Sequence, residues 1–230
     1  MNKHISSVDK AYKRLREMAI AFEFKPEERL NESVLAVQLG ASRTPLREAL
    51  NRLVAEGFLT FKMGRGFFCR ALSPTRISEL YEARQAIETE AVRRAVARAK
   101  DAEIEALSAY LDKIEPDYES CADLSKLLEM DEEFHHRLAE LAGNAELINM
   151  LNNINGRIRY VRLINLEILR SAPKSKAGQL SAHRRIVEAV ASRDEDAAIK
   201  AIRGHIERRR EETAEAVRIA FSKLYVPEEG

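Results

Sequence analysis

Tryptophan is absent from the 230 residues, and only nine glycines, six prolines and two cysteines interrupt or could cross-link the chain. So few breakers exclude a loop-rich or collagen-like polymer and favour long helices. Cys69 and Cys121 lie far apart with no C-x-x-C neighbour, which excludes a disulfide scaffold and a Cys-based zinc finger. Both are expected as small buried hydrophobes in a reducing compartment. No stretch approaches the roughly 18 apolar residues of a membrane span, and the opening MNKHISSVDKAYKR has no apolar signal core. A cytoplasmic protein with no membrane partner is expected. Apolar content of 45% beside charged content of 33% excludes a disordered chain.

A net charge of +1 hides an uneven distribution. Residues 1–72 carry 13 Lys or Arg against 8 Asp or Glu, a net +5, and the remainder carries 25 against 29, a net −4. A basic front on an acidic body suits an anionic polymer partner.

The pattern divides into two expected domains, 1–73 and 74–230. The first reads helix (near 7–22), a Pro turn, a short helix capped by Asn31 and ending at Gly40, and a third helix starting between Ser42 and Pro45. Two β-prone segments follow around Lys62-Met63-Gly64-Arg65-Gly66, giving a hairpin wing. The second domain shows helical periodicity almost throughout, with helices predicted near 75–99, 101–115, 119–142, 144–171, 177–192 and 194–223. Asp101, Asn144 and Asp194 are candidate caps. The breaks fall at Glu115-Pro116, Gly143 and the 171–178 loop.

At 100° per residue, Leu46, Ala49, Leu50 and Leu53 share one side of the third helix, while Arg43, Thr44, Arg47, Glu48 and Asn51 share the other. Arginines at the leading end of a short second helix suit a DNA major groove, where they pair with guanine or clasp phosphate. Ser42, Thr44 and the free N–H groups of the first turn are further phosphate donors. Arg65 beside Gly64 and Gly66 would reach backbone or minor groove. The same charges also fit a solvated face with no partner.

"LNESVLAVQLGASRTPLREALNRLVAEGF" followed by "GRGFF" resembles the winged helix–turn–helix of the GntR family of bacterial transcription regulators over residues 8–72. The resemblance implies operator contacts by Arg43, Thr44, Arg47 and the wing glycine Gly66. Two departures stand out. Family members usually carry Pro-Gly where this chain has Pro26-Glu27, and some carry an arginine where it has Ser33.

In the second domain the informative residues are polar ones on apolar faces. Asp131 and His135 lie one turn apart among Leu127, Phe134 and Leu138; His183 sits among Leu180, Ile186, Val187 and Val190; His205 borders Ala198, Ala201, Ile202 and Ile206. A buried carboxylate costs several kcal/mol unless satisfied. A divalent ion would satisfy it together with three neutral imidazoles, and this donor set suits zinc, nickel or manganese. Ordinary hydrogen-bonded core histidines are the alternative. Arg84 and Glu88 share an inward stripe, either as an effector-binding arginine or as a structural pair; Arg162 and Asn165 are further inward candidates for effector binding.

"YEARQAIETEAV", "DEEFHHRLAELAGN", "SAHRRIVEAV" and "RDEDAAIKAIRGHIE" resemble the FCD type of effector domain over about 75–218. That resemblance implies a divalent metal, zinc first and nickel or manganese as alternatives, on Asp131, His135, His183 and His205, with an open face for a small organic acid. The expectation is a mainly α protein, a winged helix–turn–helix followed by an all-α bundle. A homodimer on a near-palindromic double-stranded operator is expected, a repressor rather than an activator, and not an enzyme. A metal-dependent hydrolase is the alternative, since such a site activates water.

Overall fold

The computed structural model describes residues 6–171 and 180–225. They cluster into two compact units, one of residues 6–73 with 220–225 and one of the described residues in 74–219.

The first unit opens with α1 (Ser7–Ile20), α2 (Glu32–Gln38) and α3 (Arg43–Ala55), followed by β1 (Leu59–Lys62) and β2 (Gly66–Cys69). Polar caps set the helix starts. Ser6 Oγ accepts from the Asp9 N–H at 3.1 Å, and Asn31 Oδ1 accepts from Ser33 and Val34 at 3.1 and 3.2 Å. Pro45 falls in the first turn of α3, where its missing N–H costs nothing. Leu46, Ala49, Leu50 and Leu53 are all fully buried, with α3 packed against α1 and α2. The strands pair antiparallel from Leu59↔Cys69 to Lys62↔Gly66. Gly64 and Gly66, at φ +71° and +91°, close the tip in a backbone region that side chains disfavour. The segment before α2 braces the hairpin, because Leu30 N–H donates to Phe67 O and Cys69 N–H to Glu28 O, both at 2.9 Å. At the other end of the unit, Phe221 stacks on Tyr225, and Leu72 N–H donates to the Tyr225 hydroxyl at 3.1 Å.

The second unit is helical: α4 (Pro74–Arg98), α5 (Asp101–Ser120), α6 (Leu124–Glu140), α7 (Ala145–Ser171), α8 (Ser181–Ala191) and α9 (Glu195–Tyr225), whose last turn belongs to the first unit. α4 packs on α6, α7 and α8, and α5 on α6 and α8. Side-chain bonds tie α9 to α4, among them Tyr81–Thr213 at 3.0 Å and Gln85–Glu207 at 2.8 Å.

Several expectations are corrected. α5 does not break at Glu115-Pro116 but continues to Ser120. Its buried stripe of Leu107, Leu111 and Ile114 carries on to Tyr118, so burial beyond the proline outweighs the one backbone bond that Pro116 removes. The extension delays α6, which starts at Leu124 rather than 119, capped by Asp123 Oδ1 accepting from Ser125 and Lys126. Cys121 therefore falls in a short connection and is half-buried, whereas Cys69 is fully buried. Asp101 is the first helical residue instead of a cap and pairs with Arg193 at 2.5 Å; the Lys100 N–H is taken by the Glu103 carboxylate. Asn144 and Asp194 do cap, accepting from Glu146 and Ala197. The expected break over 172–178 and the first residues of the expected 177–192 helix lie outside the described residues, and α8 is present from Ser181.

The Pro26-Glu27 departure has a visible cost. Lys25 O accepts from Glu28 N–H at 3.0 Å, closing a turn whose third residue, Glu27, sits at φ +62°. A non-glycine residue there costs about 1–2 kcal/mol, partly offset by the chain entropy glycine would lose. Glu27→Gly should raise the thermal unfolding midpoint by up to about 3 °C. A lowered midpoint would mean that the turn is not strained.

Candidate DNA-binding surface and candidate metal centre

The leading end of α3 presents Ser42, Arg43, Thr44 and Arg47 to solvent, with Asn51 a turn further along the same exposed face. Ser42 is the N-cap in extended conformation, yet its side chain makes no capping bond. Its hydroxyl and the first-turn N–H groups stay open to an anion, at the end where the helix dipole favours one. Arg47 keeps 57% of its side chain exposed and lies 3.4 Å from Glu32 Oε2. An exposed pair of this kind contributes at most about 1 kcal/mol, so a phosphate or guanine edge can displace it. Arg52, by contrast, is held by Asp9 at 3.0 Å and lies 4.1 Å over the Tyr12 ring, a packing role. On the wing Arg65 is exposed, with its guanidinium 5.7 Å from the Phe68 ring, while Gly66 is half-buried beside Arg29. Lys62 and the 93%-exposed Met63 share that tip. Ser33, in the position where some relatives carry arginine, is exposed on α2 and brings no cation.

In the second unit the four imidazole and carboxylate candidates come together. Asp131 and His135 from α6, His183 from α8 and His205 from α9 each present one ligating atom, all within 4.8 Å of one another. All four residues are buried, at 5%, 1%, 1% and 5% exposure. The His135 and His183 rings lie 5.2 and 4.8 Å from His205.

A carboxylate from α4 orients the cluster. His135 Nδ1–H donates to Glu88 Oε2 at 2.5 Å, and Glu88 Oε1 accepts from Arg84 Nε at 2.5 Å. Burial works to raise the Glu88 carboxyl, but Arg84 and then His135 outweigh it and hold it at about 2. An ionised Glu88 fixes the proton of His135 on Nδ1 and leaves the Nε2 lone pair facing Asp131, 3.8 Å from its Oδ2. Among the described residues that Nε2 has no hydrogen-bond partner, and neither nitrogen of His183 has one, although His183 Nε2 lies 3.3 Å from Asp131 Oδ1. Orphaned imidazole nitrogens in a dry interior are costly by themselves. Converging on a carboxylate, they fit a divalent cation.

The protonation states agree with that fit. Burial pushes the His135 imidazole down, Arg84 adds to it, and Glu88 opposes. Burial, then His183, His135 and Arg209, keep His205 well below the ordinary histidine range. Burial alone would raise Asp131; Arg162, His183 and His135 hold it well below the usual carboxylate range instead. Neutral imidazoles beside an ionised carboxylate are the forms a metal requires.

The effector candidates separate. Arg162 and Asn165 border a cavity with Tyr81, Tyr118, Asp131 and Arg209, but its volume is about 20 Å³, room for roughly one water. Arg162 is already engaged by Asp131 and, at 3.3 Å, by Glu132. Arg84 does not border this cavity; it forms the buried pair with Glu88, leaving its Nη2 without a partner among the described residues. Glu88 is the site residue that pattern reasoning cast only as a partner for Arg84; the i, i+4 spacing was the available signal. Tyr118, whose hydroxyl donates to Asp131 Oδ1 at 3.3 Å, was hidden by the expected helix end before Pro116.

Comparison with known proteins adds two family matches. The description "Bacterial regulatory proteins, gntR family" fits residues 7–69, and "FCD domain" fits residues 79–208. The chain is 40% identical over 208 residues to the Nta operon transcriptional regulator of Aminobacter aminovorans, covering 90% of this chain and 95% of that one. It is 28% identical over 212 residues to the HTH-type transcriptional repressor GlaR of Escherichia coli K12, covering 88% and 93%. The fold is similar to that of E. coli McbR/YncC, with a TM-score of 0.68 at 21% identity and 96% and 98% coverage. It is also similar to a GntR regulator of Rhodococcus sp. RHA1, with a TM-score of 0.68 at 23% identity and 91% and 98% coverage.

The Arg84–Glu88 pair makes a direct test. Glu88→Ala leaves a buried guanidinium uncompensated and should cost about 3–5 kcal/mol in urea unfolding. The double variant Arg84→Met/Glu88→Leu should recover most of that loss. A single variant within about 1 kcal/mol of the parent would show that burial of the pair is not what it stabilises.

Proposed function

The chain belongs to the GntR family of bacterial regulatory proteins and carries an FCD domain; it is a DNA-binding transcription regulator, and we propose that it is a cytoplasmic, homodimeric repressor controlled by a metal-assisted organic-acid effector. Residues 1–73 would form the DNA-binding domain and 74–230 the effector and dimerisation domain. A family of regulators gives no support to the hydrolase alternative. No helix among the described residues is long and apolar enough to cross a membrane.

The observation that carries the metal reading is the convergence of Asp131, His135, His183 and His205 with orphaned imidazole nitrogens. These four residues would hold the ion, zinc before nickel or manganese on the chemistry of one oxygen and three nitrogen donors. A bound divalent ion would supply a Lewis-acidic centre that accepts a carboxylate oxygen of the effector. Glu88 positions His135, and Arg84 neutralises Glu88. Arg162 and Asn165, next to Asp131, are the groups that would answer the arrival of an anion, Arg162 by exchanging its internal carboxylates for the effector's. A repressor role is supported by the relative named as one in E. coli. Effector control requires that the effector favour one arrangement of the dimer over another.

On DNA, Ser42, Arg43, Thr44, Arg47 and Asn51 would enter the major groove, with Arg65 and Gly66 at the flanking backbone or minor groove. Two protomers would address two halves of a near-palindromic operator.

The metal is tested by elemental analysis of purified protein. About one divalent ion per protomer is expected; His183→Ala should lose it while retaining helicity, and full occupancy in that variant would remove His183 from the ligand set. For DNA, Arg47→Ala should weaken operator retardation by at least about tenfold, in line with the loss of one good base or phosphate contact. Binding by the parent should fall steeply with salt. Retardation unchanged in the variant would refute the role of Arg47.

A further inference from the structure

Outside the interior cluster, the bundle has an open groove of about 420 Å³ between α8 and α9. Its floor is built from small residues, among them Ala189, Ala201 and Gly204. Its rim carries Arg185, Lys200 and Arg208. Those three cations differ from their neighbours. Arg184, Arg193, Arg209, Arg210 and Arg218 on or next to the same two helices each have a carboxylate partner, and Arg203 is bonded to Thr89. Arg185 donates only to the Ser181 carbonyl oxygen, and neither Lys200 nor Arg208 has a carboxylate partner among the described residues. Among the described residues, four of the seven arginines on α8 and α9 have a carboxylate partner, and the two without any side-chain partner, Arg185 and Arg208, both face this groove.

A second observation points inward from the groove. His205, only 5% exposed, lines it. Its ring meets His183 and His135 on the other side. The groove therefore ends on the outer edge of the imidazole cluster. The cavity beside Arg162 has room for about one water, whereas the groove is within the range of small-molecule sites.

We propose that this groove receives a small polyanion, a molecule with two or more carboxylate or phosphate groups, held by Arg185, Lys200 and Arg208 with its inner end at His205. The proposal rests on the effector reading above for the existence of an anionic effector, and it moves that effector's seat from Arg162 and Asn165 to this groove. A monoanion would leave two of the three cations unanswered, so affinity should rise with the number of oxyanion groups.

Gly204 supplies a clean test. A Cβ built on it meets nothing within 4 Å, and its backbone is ordinary helix. Gly204→Leu should therefore fold as well as the parent, with an equal or higher unfolding midpoint, while its side chain fills the groove. Calorimetric titration of the full chain at physiological salt would use propane-1,2,3-tricarboxylate, pyrophosphate and acetate as probes, with metal content measured in every sample. The expected result is saturable binding of one polyanion per protomer, with acetate at least about tenfold weaker. Gly204→Leu and the triple variant Arg185→Gln/Lys200→Gln/Arg208→Gln should each lose at least about tenfold in affinity with metal content unchanged. Preference for the tricarboxylate or for pyrophosphate assigns the anion to carboxylates or phosphates. Protein stripped with phenanthroline, an uncharged chelator, separates the two readings: groove-dependent binding that survives stripping supports the groove and removes the ion from effector recognition. Equal polyanion affinity in both variants, no polyanion binding by the parent at millimolar concentration, or operator binding lost in the triple variant without any anion would each overturn the proposal.

Discussion

Seven acidic and basic side chains share one interior in the bundle: Arg84, Glu88, Asp131, His135, Arg162, His183 and His205, none more than 9% exposed. In water each would be indifferent to the others. Here each charge is tolerable only because an opposite charge or a neutral donor stands beside it, and removing one strands the next. The chain Arg84–Glu88–His135 fixes a proton on one ring nitrogen and so decides which nitrogen faces Asp131. Arg162 keeps Asp131 ionised from the other side. A hydrophobic replacement of this network would pack as well or better; what it could not do is present three imidazoles and a carboxylate to one point.

The two ends of the protein use the same residue types in opposite ways. In the bundle interior, arginine is consumed by internal carboxylates, and its charge is spent on holding geometry. At the leading end of α3, Arg43 and Arg47 are left in solvent with at most a weak surface partner, so their charge remains available to an external polyanion. The unpaired cations of α8 and α9 resemble the second case more than the first, although they belong to the bundle. Pairing, rather than the presence of arginine, separates the structural cations from those left available to a ligand here.

How much of this could be read from the residues depended on the range of the interaction. The α3 stripe, the caps at Asn31, Asn144 and Asp194, and the wing glycines are local, and local periodicity and turn chemistry place them. The inward placement of Asp131, His135 and His183 was legible because each lies on an apolar helical face, and that of His205 because it borders one. Pro116 misled because its local penalty is real, while the burial of Tyr118 that overrides it depends on partners far away in the chain. Cys121 followed Pro116, since a residue's burial depends on where the neighbouring helices end.

The amino-acid sequence by itself determined the class of the protein: helices by periodicity, a wing by its glycines, an exposed cationic helix end and a buried imidazole–carboxylate set by their positions on apolar faces. Only the tertiary structure decided which of the inward groups meet. It gave Glu88 to His135, closed Arg84 and Arg162 onto internal carboxylates, and left open a groove where small residues of α8 and α9 face each other. The reason is that periodicity fixes the direction of a side chain relative to its own helix axis, whereas its partner is set by how separate helices rotate and pack against one another.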